Sequence, residues 1–172
     1  GLGGPEVGFP RSMFAEAFAL TRAAGLPGVP HAGETTGPES VWAALDDLGA
    51  VRIGHGINAV HDERLVAHLV ENQIPLEICP TSNLCTGAVV DITEHPFPVL
   101  RDAGVPVTVN SDDPGMFATT LNREYGIAHS VFGLSTAELA DLARAAVHHS
   151  FAPDATKKRI SAEIDGLGEL EH

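Results

Sequence analysis

Apolar and polar positions along the chain alternate between two spacings. Phe14, Ala17, Phe18 and Thr21 recur at helical spacing and stop at Gly25. Pro38 opens a second helical stretch with Val41, Trp42, Leu45 and Leu48 on one face, and Gly49 stands where a C-terminal cap belongs. A third stretch, from about His61 to Asn72, pairs Leu65 with Leu69 and Val66 with Val70 at i,i+4. A short helix is predicted near 98–101, stopped by Gly104. Between these lie short apolar runs of strand character: 28–31, 50–53, 74–79 and 105–110. Beyond them two or three helices are predicted, one opened by a capping box, Ser135-Thr136-Ala137-Glu138, with Leu139, Leu142 and Val147 on its apolar face. Past about Asp165 the Gly-rich end is expected to fray.

Short buried strands alternating with helices indicate βα units and a parallel sheet. No linker or composition shift divides the 172 residues, so a single α/β unit is expected. Four strands would supply about half of a (β/α)8 barrel, which usually needs about 250 residues. The opening Gly1-Leu2-Gly3-Gly4-Pro5-Glu6 reads as the end of a further strand, and an upstream portion is expected. A half barrel leaves parallel edges open to pairing or aggregation.

Charge narrows the partners. Ten basic residues against 23 acidic give a formal charge of -13 with no basic cluster, which repels a phosphate backbone. A nucleic-acid polymer is thereby excluded as a partner, although a neutral nucleoside is not. No apolar run is long enough to span a bilayer, so no membrane partner is expected. Cys79 and Cys85, six apart, match no zinc-site spacing and no disulfide framework, and are read as packing residues in a reduced, cytoplasmic setting.

The informative feature is positional. Each predicted strand ends in residues of catalytic type: His31 and Glu34, then His55, then Ser82 and Asn83, then Asp112 and Asp113. In a (β/α)8 barrel these C-terminal ends meet at one rim. Helix capping accounts for Ser82 or Asn83 alone, but His31 and His55 are poor caps. His and Asp are catalytic-zinc ligands, a zinc-activated water is a strong nucleophile, and Glu34 and His55 can move protons. The set reads as metal-assisted hydrolysis. Ser82 and Asn83 are placed behind it, orienting His55 or Asp112. The remaining histidines, at 61, 68, 95, 129, 148, 149 and 172, lack such loop context and are read as surface or capping residues. Trp42, Phe14 and Phe18 are assigned to the core.

His31-Ala32-Gly33-Glu34, Arg52-Ile53-Gly54-His55-Gly56, Cys79-Pro80-Thr81-Ser82-Asn83 and Asn110-Ser111-Asp112-Asp113-Pro114 resemble the adenosine deaminases, motif by motif and in order, as does Gly3-Gly4-Pro5-Glu6. The resemblance runs from Gly1 to about Ser150. It implies a zinc-dependent deamination of adenosine to inosine and ammonia, with one zinc ion per complete chain. His31 and Asp112 would be metal ligands. Glu34 would protonate purine N1, His55 would help deprotonate the water and stabilise the resulting charge, Asp113 would bond N7 and the Gly4 amide N3. The family's His-x-His ligand pair is absent from these 172 residues, and the chain alone is therefore expected to be inactive. Adenine or an adenine nucleotide as substrate, and a non-catalytic half-barrel remnant, are the alternatives.

Overall fold

The computed structural model describes residues 1–167. Four short strands form one sheet in the order of the chain, all neighbours parallel: β1 (His31–Ala32), β2 (Ile53–His55), β3 (Leu76–Ile78) and β4 (Val107–Val109). Sequential parallel order with a helix after each strand is the right-handed βα repeat of half an eight-stranded barrel. Leu2 bridges to Pro30 in the parallel sense, so the opening segment lies along β1, as its reading as a strand end requires. The helices are α1 (Ala15–Ala23), α2 (Pro38–Asp46), α3 (Glu63–Glu71), α4 (Pro80–Cys85), α5 (Phe97–Asp102), α6 (Leu121–Ser130), α7 (Thr136–His149) and α8 (Asp154–Leu167). Single 3₁₀ turns occupy Arg11–Phe14, Ile57–His61 and Ile92–Glu94.

The core lies between sheet and helices. Ile53, Leu76, Ile78, Val107 and Val109 point outward and are buried beneath Val41, Ala44, Leu65, Leu69, Phe97 and Leu100. Residues of the opposite parity point inward. Register sets His31, Gly54, Glu77 and Thr108 side by side across the four strands, as one inward-facing layer. Helix starts follow the expected chemistry. Asp62 caps α3 by accepting from the Arg64 and Leu65 amides and also from the Trp42 indole at 2.9 Å. The Trp42 bond, above all, holds its carboxyl below the usual range. Both bonds of the Ser135–Glu138 capping box are present at α7.

The structure differs from the sequence reading at several points. The strands are two or three residues long, shorter than the apolar runs of four to six residues that contain or adjoin them. Pro80 to Cys85 is helical, not loop: Pro80 at the first position is preset for a helix, and the buried Glu124 carboxylate accepts from the Thr81 amide at 3.0 Å. Asp165 and Gly166 belong to α8, where Asp165 pairs with Arg144, while the rest of that Gly-rich end and His172 lie outside the described residues. Cys79 is buried as expected, but Cys85 is exposed. Among the described residues no helix is long and apolar enough to cross a membrane.

Candidate active site

All the catalytic-type residues read from the strand ends sit at the C-terminal rim. A polar pocket of about 380 Å³ is lined there by His31, Gly54, His55, Glu77, Cys79, Asn110, Ser111, Asp112 and Leu121. Register explains the pairing of the first three. His31 lies opposite Gly54, and a Cβ at Gly54 would stand 2.4 Å from His31 Cδ2, so only glycine leaves room for the imidazole. The His31 and His55 rings then meet edge to face, 4.8 Å between centroids.

His55 is the centre of the arrangement. It is 2 % exposed, with backbone in the left-handed region (φ 61°). Its Nε2 stands 3.6 Å from Glu34 Oε2 and 3.7 Å from Asp112 Oδ2. Asp112 is also left-handed (φ 53°), and strain of this kind collects at functional positions. Ser82 Oγ donates to Asp112 Oδ2 at 2.8 Å, and Asn83 Nδ2 approaches His55 Nδ1 at 3.1 Å. Ser82 and Asn83 thus stand behind Asp112 and His55, as the sequence reading expects.

Glu34 is held at several points. Its Oε1 accepts from Asn83 Nδ2 at 3.2 Å and from Thr86 Oγ1 at 2.9 Å, which leaves Oε2 as the oxygen able to carry a proton. Asn58 Nδ2 donates to the Glu34 carbonyl. The carboxylate of Glu6, 5 % exposed, accepts from the backbone amides of Glu34, Thr35 and Thr36. Arg11, 1 % exposed, ties the opening loop to the sheet by donating to the carbonyls of His31, Pro5 and Phe9. Asp113 lies on the exposed side of the rim, its Oδ1 accepting from the Met116 amide. Gly4 lies in the exposed opening loop with φ +94°.

The donor set fits a divalent transition ion. Burial, then the neighbouring His55, pull the His31 pKa down, so its imidazole offers a free lone pair at neutral pH. Imidazole nitrogen from His31 and carboxylate oxygen from Asp112 are zinc donors. One donor atom each from His55, Cys79 and Asp112 also lie within 4.8 Å of one another. Burial, then Asp112, push the Cys79 thiol far up, and its S–H is directed at the Glu77 carbonyl. A protonated thiol is a poor ligand, which leaves the His55 and Asp112 donors of that group, with the His31 imidazole beside them.

His95 is the residue misread from sequence. It is 3 % exposed, not on the surface, and its Nε2 lies 3.2 Å from Asn83 Oδ1. Glu6, Asn58, Thr86 and Glu124 were likewise not singled out. Only Glu6 had a signal, its place in the Gly-Gly-Pro-Glu loop.

Comparison with known proteins gives consistent findings. The family model described as "Adenosine deaminase" matches residues 1–167. An aminodeoxyfutalosine deaminase of Streptomyces avermitilis is 57% identical over 165 residues, covering 96% of this chain and 46% of that protein. An adenosine deaminase of Shewanella loihica is 45% identical over 161 residues, 94% of this chain and 49% of that protein. The chain therefore spans about half the length of these curated relatives. Among solved structures, an adenine deaminase from Arthrobacter aurescens superposes with TM-score 0.94 at 36% identity, over 98% of this chain and 51% of that one. An amidohydrolase from Burkholderia ambifaria with bound Zn superposes at 0.88 with 25% identity, over 98% and 48%.

Proposed function

Because this chain belongs to the adenosine deaminase family, we propose that it carries the proton-transfer half of a hydrolytic deaminase that converts adenosine to inosine and ammonia. One observation carries the reading: one carboxylate oxygen each of Glu34 and Asp112 stand 3.6 Å and 3.7 Å from the same ring nitrogen of a buried histidine. His31 and Asp112 would hold a zinc ion, which would supply Lewis-acid activation of the attacking water.

The chain's own residues do the rest. Glu34 gives the proton on Oε2 to purine N1, which draws electrons from C6 and opens it to attack. The water oxygen bonds to C6 as one water proton passes to the exocyclic nitrogen. The C6–N bond then breaks, ammonia departs, and the second water proton returns to Glu34, leaving a carbonyl oxygen on C6. His55 faces this step with Nε2 and stabilises charge developing on the attacking oxygen. Asp113 bonds purine N7, which needs a protonated carboxyl because N7 only accepts, and the Gly4 amide bonds N3. The partner is a small molecule in a cytoplasmic setting, with neither nucleic acid nor membrane involved. A second reading, aminodeoxyfutalosine as substrate, draws on the higher identity to the relative bearing that name, 57% against 45%.

The test is ultraviolet-monitored turnover by the complete gene product loaded with zinc, offered adenosine, aminodeoxyfutalosine, adenine and AMP separately. Adenosine is expected to react, and Glu34→Gln to lower kcat by roughly 10²–10⁴-fold. Preference for aminodeoxyfutalosine selects the second reading. No turnover of any of the four with zinc bound sinks the deaminase, and an active Glu34→Gln sinks the proton-donor role.

A further inference from the structure

We infer that Asn83 and His95 are positioning residues: a buried chain of hydrogen bonds, anchored on the backbone of α5, fixes the proton of His55 on Nε2 and holds Glu34 by Oε1. What the fixed proton is used for rests on the deaminase reading; the chain itself does not.

The direction of every bond follows from its anchor. The Phe97 amide can only donate, and it donates to His95 Nδ1 at 3.0 Å. His95 is enclosed, its ring 5.5 Å from that of Phe132, and burial pushes its pKa down to about 4. At neutral pH it is therefore an uncharged imidazole with its one proton on Nε2. That proton faces Asn83 Oδ1 at 3.2 Å. The carboxamide must then turn its oxygen to His95 and its NH2 to the site. One amide hydrogen reaches Glu34 Oε1 at 3.2 Å and the other His55 Nδ1 at 3.1 Å. Since Nδ1 accepts, neutral His55 carries its hydrogen on Nε2, the atom aimed at Glu34 and Asp112.

The far end gives the same answer independently. The Glu34 carboxylate needs a donor, so NH2 and not oxygen must face it. Rotating the carboxamide would oppose oxygen to carboxylate and NH2 to the His95 N–H. Each such mismatch leaves a buried polar group unsatisfied. Asn83 is wholly buried and neither residue lines the pocket, so both act through His55 and Glu34. Sequence reasoning missed half of this because His95 lies 12 residues from Asn83, beyond a turn, in no catalytic-looking context.

The decisive measurement is the His55 tautomer, read by long-range ¹H–¹⁵N correlation in the complete zinc-loaded protein without substrate and assigned against His55→Gln. Wild type is expected to carry the proton on Nε2. Asn83→Asp, which offers Nδ1 an acceptor, is expected to place a proton on Nδ1 and to lower kcat roughly 10–100-fold, with KM little changed. His95→Gln, whose amide can donate to Asn83, should keep the wild-type tautomer and most of kcat, while His95→Leu loses both. If Asn83→Asp does not fold, the two His95 variants decide. Nδ1 protonated in wild type, an unmoved tautomer in Asn83→Asp, or equal behaviour of the two His95 variants overturns the proposal. A protein that shows the tautomer switch yet deaminates none of the four purines removes the deaminase reading and leaves this one standing.

Discussion

The loop after β1 and the loop after β4 both carry acidic residues to the rim, but they are held differently. In residues 33–37 long-range partners fix the backbone: Glu6 gathers three successive amides, Asn58 reaches the Glu34 and Thr36 carbonyls, and Ser40 accepts from the Gly33 amide. In residues 110–118 the backbone is largely exposed and turns through left-handed Asp112 and Ala118. There Asp112 leans on the single Ser82 hydroxyl, and Asp113 on the amide three residues ahead. Glu34 is thus presented in a preset position, the condition for efficient proton transfer. The acid pair depends on local turn geometry instead.

The sharpest way to break this contrast is Glu6→Ala. It leaves three backbone amides facing a site from which their acceptor has gone. The three amides are only part-buried, so each sits at the low end of the orphan penalty, about 1 kcal/mol, and the loss should reach about 3 kcal/mol. Urea unfolding of the complete protein reads it, and kcat should fall as Glu34 loses its seat. Glu6→Gln, which keeps one acceptor oxygen, should recover part of both. Unchanged unfolding in Glu6→Ala would mean the loop does not need its cradle.

Burial behind the first loop also creates an acid sensitivity. The folded pKa of His95, about 4, lies below its ordinary 6.5, so the unfolded chain binds the proton more readily. Stability from this group is complete above about pH 6.5 and declines as pH falls toward 4. The gap corresponds to about 3 kcal/mol. Denaturation midpoints of wild type and His95→Gln between pH 7 and pH 4 should converge as acid is added; parallel curves would refute the linkage.

Gly54→Ala tests the layer that joins the two loops. Its methyl would meet the His31 ring at 2.4 Å, so the ring or the strand must shift. Overpacking of this kind costs about 1–3 kcal/mol. Displacing His31 should also weaken zinc retention roughly 10–100-fold, measured by competition with a chelator. Wild-type retention would remove His31 from the ligand set.

The same contrast marks what the sequence could disclose. The (β/α) repeat and the meeting of His31, Glu34, His55 and Asp112 at the rim were legible, because strand ends and their polar residues are local signals. Ser82 and Asn83 were legible as supports for the same reason. Glu6 to Glu34, Asn83 to His95 and Thr81 to Glu124 are pairings across 28, 12 and 43 residues, made by packing and not by spacing. The helix at 80–85 was hidden behind its motif, since Pro80-Thr81-Ser82-Asn83 has the composition of a loop and the Glu124 carboxylate that accepts from the Thr81 amide is distant in sequence. Histidine burial is tertiary as well, which is why His95 read like its exposed neighbours.

The smallest effect expected is that of Asp113→Asn, and it separates two roles for one exposed side chain. As a cap, Asp113 uses Oδ1 to accept from the Met116 amide at 2.8 Å, and asparagine retains an oxygen for that purpose. Stability should therefore move by less than about 0.5 kcal/mol, as for most exposed positions. As a substrate contact it must donate to purine N7, which a carboxylate cannot do and a carboxamide can. Asparagine should then bind adenosine at least as well as aspartate, because its carboxamide always carries a donor. Inhibition by a non-reactive adenosine analogue reads this directly. Affinity that collapses in Asp113→Asn would show that the anion matters, and would put the exposed loop after β4 to work through its charge and not through a hydrogen bond to N7.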